Sequence, residues 1–454
     1  MDRAGVLVIA VVLFACPVFG QQEGREERRG PMPQFLFYEA VNMISSDSTK
    51  ARVDVFYRID AGFFVPVRNS DTTFHWAFKR RGEILVELID SLGTSQARDI
   101  NRIEIGANSS EVNLDPKQWC QGAASFSVPP GPYKIVLDVD DLESERRYLN
   151  KDGSTRANRF SAAHFEASSP LFVYWSDSAS VSEGITAQNF GGNLLFGRKS
   201  ALFFQLPSAS GEDSSLHVEY TFSTSKSRMR DPEPVLTDTA RNVLVLRNAN
   251  AVIKNWGDSV GYAVTSSPDA SGSAVIVPLL SDQLPLRPYD LQVKIRRGSQ
   301  ETQISKSLQM VWPDMPMSLR DVDYALDALR FITRESQLDS LKKGSIEARR
   351  DALEVFWKEK DKTSETAFNE IMAEYYRRVD YARKSFGTLR DDDGLKSDRG
   401  RIYVLYGPPS KVDRALDPAA GFRETWSYEK LNKKFVFADK TKSGAYVLVS
   451  TQNL

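Results

Sequence analysis

ARVDVFYRI, Ala51 to Ile59, sets Val53, Val55, Tyr57 and Ile59 on one side against largely polar neighbours on the other. A period of two is that of a strand with one face on a core. The same alternation appears in ILVELIDSL, Ile84 to Leu92, and again from Ile135 to Val139. Arg81-Gly82 and Pro129-Pro130-Gly131 read as turns between these strands.

The pattern then returns. LHVEYTF, Leu216 to Phe222, echoes ARVDVFYRI, and PLRPYDLQVKI, Pro285 to Ile295, echoes PPGPYKIVLDV, Pro129 to Val139. In both, a Pro-rich turn leads into a tyrosine, Tyr133 or Tyr289, and then a strand. Short alternating strands at this spacing predict two tandem immunoglobulin-like sandwiches, residues 32–169 and 170–311. The polar, Arg-rich stretch Asp141 to Ala163 reads as an exposed loop or hairpin arm.

After Trp312-Pro313 the period changes. Leu319, Val322, Leu326, Leu329 and Ile332 recur at helical steps behind possible caps at Asp314 and Ser318. A second helix runs from Ser345 to Lys358. A third carries Phe368, Ile371, Met372, Tyr375, Val379, Ala382 and Phe386 in one stripe. At about 1.5–3 kcal/mol per buried side chain, that stripe represents roughly 10–20 kcal/mol of gross burial, so this helix must lie on something. RIYVLY (Arg401 to Tyr406), ETWSY (Glu424 to Tyr428), KFVFA (Lys434 to Ala438) and AYVLVS (Ala445 to Ser450) read as four strands beneath it. The expected fold is multidomain: two all-β sandwiches, then an α+β domain over residues 312–454 with helices on a small antiparallel sheet.

The beginning of the chain reads as an address. Arg3, the apolar run Ala4 to Ala15 and small residues at Val18 and Gly20 make residues 1–20 a secretory signal, with 21–31 a polar linker. Export to a periplasm or cell surface is the expected localisation. Leu13-Phe14-Ala15-Cys16 offers an alternative in which Cys16 is lipidated, and only then is a membrane a partner. Lys plus Arg number 59 against 60 Asp plus Glu, so no global field points to nucleic acid. Cys120, alone after cleavage, reads as a buried small hydrophobe.

The chemical motifs are sparse. No glycine-rich phosphate loop, G-x-S-x-G elbow or H-E-x-x-H helix occurs. His75, His164 and His217 lie apart, without ligand spacing. Asp391-Asp392-Asp393-Gly394 has part of a calcium loop, but Leu389 and Gly400 stand where ligands are needed. No cofactor, metal or catalytic residue is therefore expected.

One corner concentrates what remains. In DGLKSDRGRIYVLYGPP, Asp393 to Pro409, Asp398, Arg399 and Arg401 can meet Glu424, Trp426 and Tyr428, the last three sharing a strand face. As a binding site this suits a peptide end or a glycan. As a structural corner, Ser397 or Asp398 holds the amides that follow, and Gly400 takes a conformation closed to other residues.

Together with FWKEKDKTSETAFNEIMAEYYRRVDYARKSF before it and ETWSY, KFVFAD and SGAYVLVS after it, this corner resembles the GWxTD-domain family of bacterial exported proteins. The naming motif appears here as Gly394-Leu395-Lys396-Ser397-Asp398, with Leu for Trp and Ser for Thr. The resemblance implies a signal peptide and preceding β-rich domains, and no established activity. The expectation that follows is a non-enzymatic envelope protein whose C-terminal domain docks onto an envelope or surface protein. The alternative is a hydrolase or glycan-binding protein acting on an envelope polymer.

Overall fold

A computed structural model describes residues 35–70, 76–107, 118–161, 163–176, 184–208, 215–225, 231–363, 365–388, 391–417 and 421–453. The expected signal and linker, Cys16 and His75 lie outside the described residues. The fold is mostly β, built largely from antiparallel sheets, with helices near the C-terminus.

In the first β region, the strand Ala51–Asp60 is the middle of a three-stranded sheet between Leu36–Met43 and Trp119–Val128. Facing it is a sheet in which Phe78–Ile89 pairs with Ser95–Ala107 and Gly131–Asp141, and the latter with Arg147–Ala157. Val53, Val55, Tyr57 and Ile59 pack with Ile84, Val86, Leu88, Ile135, Leu137 and Val139 in one core. The Arg-rich segment is the half-exposed outer arm of that last hairpin.

Two details depart from the sequence reading. Arg81-Gly82 is no turn: Gly82 lies inside Phe78–Ile89, and a Cβ there would fall 2.1 Å from the Phe64 ring, which fills its place. The Ala51–Asp60 strand is also buried on both faces. Its second face, with Phe56 and Asp54 fully buried, is covered by Phe203, Tyr262 and Ile276 of the second β region.

The second region repeats the scheme. Leu216–Thr224 and Pro288–Arg297 pair in one sheet, and Ser200–Pro207 pairs with Gly272–Leu279 in another. Leu202, Phe204, Val218, Tyr220, Phe222, Leu291 and Val293 fill the space between. The repeated tyrosines do the same thing: Tyr133 donates to the Pro129 carbonyl at 2.8 Å and Tyr289 to the Pro285 carbonyl at 3.0 Å. Cys120 is buried, which pushes its thiol up to about 12.

In the C-terminal third, Val322–Ala328 begins at Asp321, whose carboxylate accepts the Asp323 and Tyr324 amides, rather than at Asp314 or Ser318. Ile346–Lys358 is capped by Ser345 and Glu370–Ser385 by Asn369. In the long stripe Tyr375, Val379, Ala382 and Phe386 are buried, whereas Ile371 is exposed. Tyr376, fully buried, donates to the Ala325 carbonyl at 3.0 Å. Phe368, just before this helix, packs its ring on Phe196 at 5.5 Å and Trp312 at 5.3 Å, over Gly197. The Ala367 amide donates to the Asp282 carbonyl at 2.7 Å, so the helices are fastened to the second β region.

The sheet below them runs Lys411–Asp417, Gly421–Tyr428, Lys433–Asp439, Val447–Asn453. RIYVLY is not one of its strands. Asp398–Tyr406 is an α-helix, with Ser397 Oγ accepting the Gly400 amide at 3.0 Å and Gly407 closing it at φ 79°. The fourth strand is Lys411–Asp417 instead.

Candidate functional site

The corner is built on two glycines. A Cβ on Gly394 would fall 2.2 Å from the Ala382 carbonyl oxygen, and one on Gly400 would fall 2.1 Å from the Gly394 oxygen. The turn Gly394–Lys396 thus nests backbone on backbone between the end of Glu370–Ser385 and the start of Asp398–Tyr406. Asp393 caps the turn by accepting the Leu395 amide at 3.1 Å and takes a bond from Tyr324 at 3.0 Å. Leu395, at the family's tryptophan position, is fully buried in the core.

Asp398 faces two ways. Its Oδ2 accepts the Leu448 amide at 2.8 Å, pinning the last strand to the helix, while its Oδ1 meets Arg401 at 3.2 Å on the surface. Arg401 reaches no further into the corner: its side chain is 44% exposed and Asp398 is its ion-pair partner. Arg399 turns inward. It donates to the Gly444 carbonyl at 3.2 Å, lies 3.6 Å from Glu424, and is held between the Phe386 ring at 5.2 Å and the Tyr446 ring at 4.1 Å. Burial draws its pKa below the usual arginine value, with Glu424 opposing.

Glu424 is buried at the centre. Its Oε1 accepts the Trp426 indole N–H at 2.6 Å, and its Oε2 is shared by Arg414 at 3.3 Å and Arg399. Trp426 and Tyr428 do share its strand face, but they are closed to solvent at 2% and 4% exposure. Trp426 packs on Phe386 at 5.4 Å and Phe437 at 4.9 Å. Tyr428 donates to the Gly407 carbonyl at 2.8 Å, away from the charges, and burial raises its pKa.

The corner therefore joins Asp398 to Arg401, and Arg399 to Glu424 and Trp426, while Tyr428 stands apart. Residues 295–453 match the family model described as the GWxTD domain. The C-terminal third is a GWxTD domain. Among curated proteins none matches the chain. Solved structures similar to it include one combining manganese lipoxygenase of Gaeumannomyces graminis with part of zonadhesin of Komagataella pastoris. That likeness has 11% identity and a TM-score of 0.14, over 59% of this chain and 92% of that one. Invasin, a bacterial integrin-binding protein, is similar at 9% identity and a TM-score of 0.13, over 64% of this chain and 41% of that one. Both scores are too low for either likeness to bear on fold or function.

Within the GWxTD domain, sequence reasoning missed Arg414, Tyr446 and Asp439. Asp439 is buried and accepts the Gly444 amide at 2.7 Å and the Ser443 amide at 3.2 Å, building the turn that Arg399 grips. A carboxylate shortly before a Ser-Gly pair was the available signal. Among the described residues, no group of three or more His, Cys, Asp or Glu is placed to hold a metal ion. A carboxylate shared by two guanidinium groups and an indole is fixed in place by all three.

Proposed function

We propose that this chain is an exported, non-enzymatic envelope protein whose GWxTD domain is an interaction module carried on two immunoglobulin-like sandwiches. The paired tyrosines that bond back to Pro129 and Pro285 support the sandwich reading, since a tyrosine corner is a mark of that fold. The sequence of residues 1–20 supports export.

One observation carries the interaction reading. Most polar groups of the corner bond to the domain's own backbone and core, with Arg399 Nε buried and left over, while among the described residues the edge strand Lys411–Asp417 is paired on one side only. Along it Val412 and Leu416 are exposed, and Phe422, the register partner of Leu416, is exposed beside them. An unpaired edge with apolar side chains suits a protein partner better than a substrate.

The test is a pull-down from the native envelope with the full chain and with Val412→Lys/Leu416→Lys. The full chain is used because Phe368 and Ala367 tie the helices to the second β region. Both substituted positions are exposed, so the melting temperature should hold. A partner retained by the wild-type chain and lost by the variant supports the reading, and one retained equally by both removes it.

A further inference from the structure

Between the two β regions lies a cleft of about 800 Å³, with Arg58, Gln118, Trp119, Gln121, Tyr174 and Asp258 among its lining residues. Among the described residues it holds a buried cation without a counter-ion. Arg58 is 9% exposed, and its guanidinium carbon sits 4.9 Å from the Trp119 ring and 4.0 Å from the Phe190 ring. Nη1 donates to the Gln188 carbonyl at 3.2 Å, but Nε is buried with no acceptor.

The neighbourhood repeats the deficit. Arg80, 2% exposed, reaches the cleft wall through Gln118 at 3.5 Å and also has an orphaned Nε. Asn189 donates to Gln121 at 3.3 Å and keeps an orphaned Oδ1. Among the described residues neither arginine forms an ion pair, and the acids of the lining, Glu104 and Asp258, are exposed. Burial draws the Arg58 pKa down, with the Tyr174 hydroxyl opposing. An unpaired buried charge is costly, and a protein that keeps one beside an open cleft gains most when an anion arrives.

We propose that this cleft binds a small ligand bearing an oxyanion, carboxylate or phosphate, with Arg58 as its anion contact and Trp119 and Tyr174 flanking the rest of the molecule. A guanidinium seated over two rings is pre-oriented for such a group. The site is lined by residues outside the GWxTD domain and does not depend on the interaction reading.

The experiment is calorimetric titration and thermal melting of the full chain with inorganic phosphate and, separately, D-glucuronate at millimolar concentrations and matched ionic strength. At least one probe should give saturable heat and raise the melting temperature, since a ligand bound only by the native state stabilises it. A response to phosphate alone identifies a phosphate ligand; a response to glucuronate alone identifies a carboxylate. Arg58→Gln should reduce the affinity at least tenfold while leaving the anion-free melting temperature unchanged or higher, because it removes an uncompensated charge. Tyr174→Phe, at a half-exposed position, should weaken binding several-fold and serves if Arg58→Gln fails to fold. No response to either probe overturns the proposal. So does an equal response to chloride, or an undiminished one in Arg58→Gln or, if that variant does not fold, in Tyr174→Phe.

Discussion

Tyr262 donates its phenolic proton to Asp54 across 2.6 Å, joining a strand of the second β region to a fully buried carboxylate of the first. Asp54 also accepts Arg52 through Nε at 3.0 Å and Nη2 at 2.7 Å, and Ser125 at 2.5 Å. Arg52 completes the tie by donating to the Ala251 carbonyl at 2.6 Å. Tyr262→Phe should therefore cost about 1–3 kcal/mol, the penalty for leaving a buried acceptor short of a donor. Denaturant unfolding checks this. An unchanged midpoint would mean that the bond does not couple the regions.

The glycines of the corner make a sharper claim. Gly394→Ala and Gly400→Ala each drive a methyl into a carbonyl oxygen that belongs to the nest itself. Each should destabilise the GWxTD domain by at least ~3 kcal/mol, as overpacking against backbone does. Thermal melting reads it, and a variant melting like the parent would show that the nest can open.

Trp426 and Asp398 separate a structural corner from a ligand site. Trp426→Ala empties a closed aromatic position and should cost about 3–5 kcal/mol. Asp398→Asn keeps an oxygen for the Leu448 amide and gives up only the half-exposed pairing with Arg401, so its cost should stay within about 1 kcal/mol. Equal losses from the two, measured by chemical denaturation, would contradict this division.

Asp439 predicts a pH dependence. Burial works against its charge, yet the Gly444 and Ser443 amides hold its pKa below the ordinary 3.8. A lowered native pKa gives stability that is fully present above the unfolded value and is lost as pH falls through the native one. The wild-type melting temperature should therefore drop on acidification below about pH 4 more steeply than that of Asp439→Asn. Parallel acid limbs would refute the assignment.

The sequence exposed the alternating strands, the repeated tyrosines and three strands of the GWxTD sheet, because these carry β-branched and aromatic residues in short runs between turn formers. RIYVLY misled because it is apolar throughout. A short run without polar neighbours has no period to separate helix from strand, and its aromatic and β-branched residues favour strand. The deciding signals lay outside it, in the Ser397 cap and in Gly407. The true edge strand, KVDRALD, is exposed from Lys411 to Leu416, and Arg414 interrupts its apolar face between Val412 and Leu416. In the candidate site, the Arg399–Glu424 pair was legible as complementary charge, but burial of Trp426 was not, since a strand face looks the same covered or bare. Asp54 and Arg58 hid for the opposite reason: a polar residue alternating with valine reads as solvated until a second sheet is laid over it.

The Phe368 contact has a mechanical consequence. Its ring packs on Phe196 and Trp312, and the adjoining amide is bonded to Asp282, so the GWxTD domain cannot swing as a bead on a string. Tension applied at the Lys411–Asp417 edge passes through the helices into the second β region, and onward through Tyr262 and Asp54 into the first. Pulled in this way the chain would act as a tie, and its weakest joint would decide where it yields.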